Sequence, residues 1–342
     1  MRNVLVTGGC GFIGSNFVKF LLESSSKYNI INLDKLTYAG NPENLKDIEK
    51  RKNYHFVMGD ICDGSLVRRI LKKYSIDTVV NFAAESHVDR SILGPEDFVR
   101  TNIYGTHVLL EMSREVWGNK LRGKRFLQIS TDEVYGSLGQ KGKFKEDNHL
   151  LPNSPYSSSK ASSDLLVRAY FKTYGFPALI SRGSNNYGPY QFPEKFIPLM
   201  IVRAWMGKGL PVYGDGRNVR DWLHVKDHCS AILAVLKKGK IGEIYNIGGC
   251  NEWKNIDVAS LILKKMGRPT SLIKFVRDRP GHDRRYAMDA SKIIRELRWE
   301  PEFNFKDGLE DTIEWYLANE SWWRAVMSGD YRKYFKKWYG KR

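Results

Sequence analysis

Long apolar runs are missing from this chain of 342 residues. Nothing in it approaches the roughly 18 residues that a membrane-spanning helix needs, so no membrane is expected among its partners. Cysteine is scarce: Cys10, Cys62, Cys229 and Cys250 stand apart, with no CxxC pair and no histidine at ligand spacing. That argues against a disulfide scaffold and a structural zinc, and leaves small buried thiols in a reducing cytosol, with no metal site. Internal repeats, low-complexity tracts and obvious linkers are absent too, which predicts lobes that are closely joined. The opening MRNVLVTGG enters a strand-like run at once. It leaves no room for the charged and apolar regions of a secretory signal, so the expected location is the cytoplasm.

Positive charge is what the chain has in excess: 55 Lys and Arg against 38 Asp and Glu, a net +17. Such a balance suits a nucleic-acid binder, an enzyme for anionic substrates, or a lysine-rich surface. The cations are spread along the chain except at 331–342 (YRKYFKKWYGKR), where basic and aromatic residues interleave. That pattern resembles a platform for single-stranded nucleic acid. The favoured reading is a terminal segment that packs its aromatics on the body and turns its lysines to water, with no nucleic-acid partner.

Apolar, β-branched runs at 3–7, 29–33, 54–58, 78–82, 125–130 and 177–181 read as buried strands. Amphipathic stretches at 13–23, 65–74, 98–117 and 157–174 lie between them. This alternation predicts an α/β fold, a doubly wound parallel (Rossmann) sheet covered by helices on both faces. Beyond about residue 185 the rhythm loosens: Pro189, Pro193, Pro198 and Pro211 interrupt it, and helices near 194–206, 225–238 and 256–266 mix with short strands. The expected division is a dinucleotide-binding domain over 1–184 and a smaller mixed α/β substrate lobe over 185–342, with some elements of the second returning to the first.

In VLVTGGCGFIGSNFV, Gly8, Gly11 and Gly14 fall at the turn from first strand to first helix. Glycine there permits the tight turn, the approach of backbone to a pyrophosphate, and close packing of helix on strand. The helix N-terminus, from Phe12 and Ile13, offers free N–H groups to phosphate. Asp34 ends the second strand about twenty residues later, where a carboxylate binds ribose hydroxyls and repels a 2′-phosphate. The cofactor is therefore expected to be NAD rather than NADP, with neighbouring Lys35 as the residue that could argue otherwise. Asp60, after the third strand, either reaches the adenine or caps the helix that starts near Ser65.

Tyr156 and Lys160 form Y-x-x-x-K within SPYSSSKAS, and Pro155 suits a first helical position, so both side chains project from one helix face. An ammonium beside a phenol lowers its pKa and readies it to take a proton from a sugar hydroxyl as hydride leaves. Thr131, Asp132 and Glu133 follow the strand RFLQIS at its carboxyl end, where open α/β sheets bind ligands. Two adjacent acids in unlike environments can divide the roles of acid and base.

These residues resemble one family, the dTDP-glucose 4,6-dehydratases of the extended short-chain dehydrogenase/reductase type, nearly end to end. TGGCGFIGSNFV, NLDKLTYAGNPENL, NFAAESHVDRSI, STDEVYG, PYSSSKASSDLLVRAY, SNNYGPYQFPEKFIPLMI, PVYGDGRNVRDWLHVKDH, GEIYNIGG and VRDRPGHDRRYAMDASKI carry the likeness. The Asp-Glu pair is its most specific part, because 4-epimerases and related decarboxylases usually lack one or both acids. Cys10 departs from the pattern, standing where a smaller residue is usual.

The resemblance implies that Tyr156 is the base at the C4 hydroxyl and that Lys160 holds the nicotinamide ribose. It further implies that Glu133 takes the C5 proton and that Asp132 protonates the departing C6 hydroxyl, after which hydride returns to C6. It places Thr37, Ile61, Ala83, Ala84, Ser86, Thr101 and Asn186 around NAD. Ser86 and Thr131 would touch the hexose, and Asn185, Glu194, Lys195, Pro211, Tyr213, Arg220, Asn255, Arg279 and His282 would line the nucleotide-sugar pocket. A homodimer built on the stretches 98–117 and 157–174 is likewise implied. The alternative is a related 4,6-dehydratase, 4-epimerase or decarboxylase acting on a UDP-sugar.

Overall fold

A computed structural model describes residues 1–278 and 281–329. Seven strands form one parallel sheet: β1 (Asn3–Thr7), β2 (Asn29–Asp34), β3 (Tyr54–Met58), β4 (Thr78–Asn81), β5 (Arg125–Thr131) and β6 (Ala178–Gly183), with β10 (Ile244–Ile247) coming later in the chain. Their spatial order is β10-β6-β5-β4-β1-β2-β3, every neighbouring pair parallel. The order reverses between β1 and β4, which opens a crevice at their carboxyl ends.

Side chains along each strand alternate between two cores. Val4, Val6, Ile30, Val80, Leu127 and Leu179 pack on one face. Leu5, Ile31, Val79, Phe126 and Ile180 pack on the other. This is why the strands read as continuous apolar runs rather than alternating ones. On the first face lies α1 (Phe12–Ser24), joined there by a helix from the second half of the chain, Val225–Lys238. The second face carries α2 (Gly64–Lys73). Beyond it come α3 (Val88–Leu93), α4 (Glu96–Phe98), a π-helical stretch Val99–Gly105, α5 (Thr106–Trp117) and α6 (Pro155–Tyr174). The single helix expected over 98–117 is thus interrupted by the wider turn.

After β6 the chain leaves the sheet. β7 (Asn185–Tyr187), β9 (Val219–His224) and β11 (Glu252–Lys254) form a three-stranded sheet, and β8 (Leu210–Tyr213) pairs with β12 (Ile273–Val276). Helices Phe196–Trp205, Asn255–Lys265 and Phe305–Ala318 enclose a third core with them. β10 and helix Val225–Lys238 return to the large sheet. No helix among the described residues is long and apolar enough to cross a membrane. All four cysteines are free; Cys10 and Cys229 are buried, but Cys250 is exposed, unlike the buried thiols expected.

Candidate active site

A cleft of about 1260 Å³, open mouth included, runs along the carboxyl ends of the strands at the β1/β4 reversal. Gly8 has φ +68°, and a Cβ there would lie 2.7 Å from the Ala83 nitrogen; one on Gly14 would lie 2.3 Å from the Gly8 carbonyl oxygen. Glycine is therefore required at both positions by space, and at Gly8 by conformation as well. Gly11 is the N-cap of α1 and supplies no side chain to its first N–H groups, and the first turn holds no acid. These features fit a dinucleotide: a backbone cradle, free amide donors and a positive helix end for a pyrophosphate. Gly8, Gly11, Phe12, Ile13, Gly14, Asp34, Lys35, Thr37, Asp60, Ile61, Ala83, Ala84, Ser86, Thr101, Tyr156 and Lys160 all line the cleft.

Asp34 is buried at the end of β2. Its two oxygens accept from the Cys10 amide (2.9 Å) and the Leu36 amide (2.8 Å), and burial pushes its carboxyl upward against those bonds. Lys35 is ion-paired with Asp60 at 2.8 Å, so the cation that could have greeted a 2′-phosphate is already neutralised. Asp60 does not cap α2; Asp63 does, accepting from the Leu66 amide. Burial raises the Asp60 carboxyl, but the Lys35 ammonium and the Cys62 amide bring it below its ordinary value. The unusual Cys10 turns its thiol into the core toward Asn32, away from the cleft.

Beyond β5 the chain turns at once into a 3₁₀ helix, Asp132–Tyr135, capped by the Thr131 hydroxyl, which accepts from the Glu133 amide at 3.2 Å. The same hydroxyl donates to Asp132 (3.1 Å) and bonds the Tyr156 phenol. Asp132 is 1% exposed, and burial followed by the Glu133 charge pushes its carboxyl well above the ordinary range. On α6, Ser154 caps the helix and Pro155 takes the first position, which fixes where Tyr156 and Lys160 emerge. Both are buried, not exposed as an isolated Y-x-x-x-K would be. The Lys160 ammonium donates to the Ile129 carbonyl at 2.7 Å and is pushed down to about 8 by burial, with Asp164 opposing. Lys160 does not prevail over the phenol: burial, then Glu133 and Asp132, hold Tyr156 well above its ordinary value, against a lowering hydrogen bond from Thr131.

The residues from the second half divide. Lys195 lines the cleft and bonds the Ser86 carbonyl at 3.0 Å. Glu194 meets His87 (3.5 Å) and Arg90 (3.4 Å), and Tyr213 reaches Asp89 at 3.4 Å, so 194–213 closes onto 86–90. His282 pairs with Asp278 at 2.6 Å, its ring 6.0 Å from that of Tyr213. Arg220 is buried, donates to the Val219 and Asp283 carbonyls, and lies over the Tyr286 ring, where its charge acts on Asp132. Asn185 and Asn255 each bury a side-chain oxygen without a hydrogen-bond partner among the described residues. Pro211 is half-buried on β8. Asn186 is half-buried on β7, its side chain engaged by His228 (2.9 Å) and donating to the Ser184 carbonyl, and it is not among the residues that line the cleft. Arg279 and the segment 331–342 lie outside the described residues.

Other wall residues escaped the sequence reading. Ser130 sits one residue before Thr131 at the same strand end, a position the strand-end argument covers. Tyr190, Gln191 and Phe192 also line the cleft, and Tyr190 has φ +68°, which only the Gly-Pro before it hinted at.

Comparison with known proteins follows the same line. A family model described as GDP-mannose 4,6 dehydratase matches residues 5–312. The dTDP-glucose 4,6-dehydratase of Xanthomonas campestris is 54% identical over 97% of this chain and 98% of its own length. The crystal structure of dTDP-glucose 4,6-dehydratase from Bacillus anthracis in complex with NAD is 51% identical, with a TM-score of 0.89 over 95% of this chain and 100% of that one. DesIV, the Streptomyces venezuelae dTDP-glucose 4,6-dehydratase with NAD and TYD bound, is 47% identical, with a TM-score of 0.90 over 95% and 99%. A cleft shaped for a dinucleotide, an acid pair with Asp132 buried beside a Tyr-Lys helix, and likeness along nearly the whole chain converge: this protein belongs to the GDP-mannose 4,6 dehydratase family and, within it, to the dTDP-glucose 4,6-dehydratases.

Proposed function

We propose that this chain is a lyase that converts dTDP-glucose to dTDP-4-keto-6-deoxyglucose with NAD as its cofactor. The observation that carries the reading is the pairing of a buried Asp132, its carboxyl pushed upward by burial and by the neighbouring charge, with Glu133 at the strand end beside Tyr156 and Lys160. An epimerase needs only the tyrosine and lysine; a carboxylic acid held neutral by burial is what a leaving hydroxyl needs. The family members named above match over nearly their full lengths.

NAD supplies, when bound, an acceptor for the C4 hydride and a donor that can return it, held by the glycine turn, Asp34 and Lys160. With the positive charge that bound NAD would bring, the Lys160 ammonium favours the Tyr156 phenolate against burial and the two acids, and the phenolate takes the proton of the C4 hydroxyl as that carbon is oxidised. The ketone acidifies the C5 proton, which Glu133 removes. Asp132 gives its proton to the C6 hydroxyl, which leaves as water. Hydride then reaches C6, and Glu133 returns a proton to C5. Residues 1–184 hold the cofactor and 185–342 the nucleotide sugar, with Lys195, Arg220 and His282 as cations toward the diphosphate.

The protein works in the cytoplasm as a homodimer. Its four thiols are free, and Val99, Tyr104, Leu165 and Tyr174 expose large apolar surfaces on the two stretches expected to pair. Incubating the protein with dTDP-glucose and with UDP-glucose and weighing the products tests the activity. Loss of one water from the dTDP-sugar is expected, and an isomer of unchanged mass would contradict it.

A further inference from the structure

Behind the cleft, and not lining it, four buried polar side chains form one chain of bonds. Arg182 on β6 donates from Nε to the Asp164 carboxylate at 2.9 Å and from a terminal nitrogen to the Tyr135 phenol at 2.8 Å. The phenol donates onward to Asn246 at 2.8 Å, on β10 directly opposite Arg182 in the sheet. Arg182 is 3% exposed, Asp164 1%, Tyr135 2% and Asn246 0%. Tyr135 is the last residue of the 3₁₀ turn that begins with Asp132, and Asp164 is one helical turn beyond Lys160 on α6. One guanidinium fork thus grips both pieces of the catalytic machinery from a single strand. Stability does not account for it, because a buried ion pair is commonly no better than apolar side chains of the same volume.

We propose that Arg182 is a positioning residue that locks the acid-base turn and the catalytic helix in register, and that its partner Asp164, one helical turn from Lys160, is the buried counter-charge on that side of the helix. The inference rests on the dehydratase reading.

The two arms have separate consequences. Other titratable groups on elements packed against α6 are Asp132 and Glu133 on the turn, Arg125 on β5, Arg100 and Tyr104 on the π-helical stretch, His107, Glu111, Arg114 and Glu115 on α5, Asp89 and Arg90 on α3, and Glu96 and Asp97 on α4. Arg125 is tied to the Gly239 carbonyl, and Glu111 to Tyr170 and Arg114. The charge that acts on Lys160 is that of Asp164. Removing it lets the ammonium lose its proton at lower pH, so the alkaline limb of turnover moves toward acid. The other arm touches no titrating catalytic group. Loosening Tyr135 misplaces Asp132 and Glu133 while C4 oxidation proceeds, so reduced cofactor accumulates on the enzyme.

The test measures turnover of dTDP-glucose against pH and the absorbance of bound NADH in the steady state. Asp164→Asn is expected to shift the alkaline limb on the order of one pH unit toward acid. Tyr135→Phe and Arg182→Lys, which keep a charge balance at Asp164 but lose the fork to the phenol, are expected to lower kcat roughly ten- to hundredfold with KM little changed, NADH standing on the enzyme and the limb unmoved. Should Asp164→Asn fail to fold with its arginine unpaired, the double variant Asp164→Asn/Arg182→Met removes both charges and must still show the acidward shift. Equal losses in every variant, with wild-type pH profile and no NADH, would reduce the network to a structural role and overturn the inference. A wild-type enzyme that leaves dTDP-glucose untouched would instead overturn the reading on which it rests.

Discussion

Burial and then the Glu133 charge push the Asp132 carboxyl upward, and that costs stability in a way that can be measured. Its folded carboxyl titrates above the ordinary value of 3.8, so ionisation above that value favours the unfolded chain. Asp132→Asn is therefore expected to raise the melting temperature at pH 7, with the gain disappearing as pH falls below the ordinary value, where both states are protonated. The same substitution is expected to slow turnover about a hundredfold or more, with reduced cofactor held on the enzyme, since C4 oxidation needs only Tyr156 and Lys160. An unchanged melting temperature and an unchanged rate would deny the residue its role as acid. Gly8→Ala tests the cradle: the added Cβ meets the Ala83 backbone at 2.7 Å, and calorimetry is expected to show NAD binding lost while the fold persists. At this scale the sequence was readable wherever residue type and strand end coincide, as at Asp34 and Asp132. It was not readable at Tyr156, where burial outweighs the lysine one turn away.

Among the elements, α6 matters most, because one helix start aims both Tyr156 and Lys160. Ser154 and Ser157 cap it reciprocally, side chain to backbone in both directions. Ser154→Ala is expected to cost about 1 kcal/mol in urea unfolding. It is also expected to lower kcat more than KM, since a frayed first turn displaces the phenol. Loss of stability without any loss of kcat would show that packing alone sets the helix. Five of the six strands of the first half were legible because they are buried on both faces and read as largely apolar runs; β3, at the sheet edge, is only half-buried but keeps the same apolar character. The short strands β7, β8, β9, β11 and β12 were not individually legible: three to six residues shared between small sheets leave too little pattern to separate strand from loop. The π-helical stretch Val99–Gly105 was equally hidden, since its apolar spacing barely differs from that of the helices on either side.

For the molecule as a whole, the charge of +17 admits a nucleic-acid binder, and the argument against one is the cleft. Removing 331–342 is expected to leave affinity for single-stranded RNA weak and unchanged across a salt series; a steep, salt-dependent loss would revive that alternative. Light scattering after size exclusion is expected to return twice the chain mass, and Leu165→Glu with Tyr104→Glu to return one. The two-lobed plan was visible as a change of rhythm near residue 185, but the return of β10 and helix Val225–Lys238 to the first sheet was not assignable to particular residues. Long-range pairing leaves no local mark.

The central claim is that one cofactor would take up and give back one hydride within a single turnover, with Glu133 exchanging the C5 proton in between. Glucose deuterated at C4, supplied as its dTDP derivative in ordinary water, tests it by magnetic resonance of the product. Deuterium at C6 of the same molecule, with C5 labelled when the experiment is run instead in heavy water, is the expected result. Deuterium that stays at C4, with the C6 hydroxyl in place, would contradict the dehydratase account.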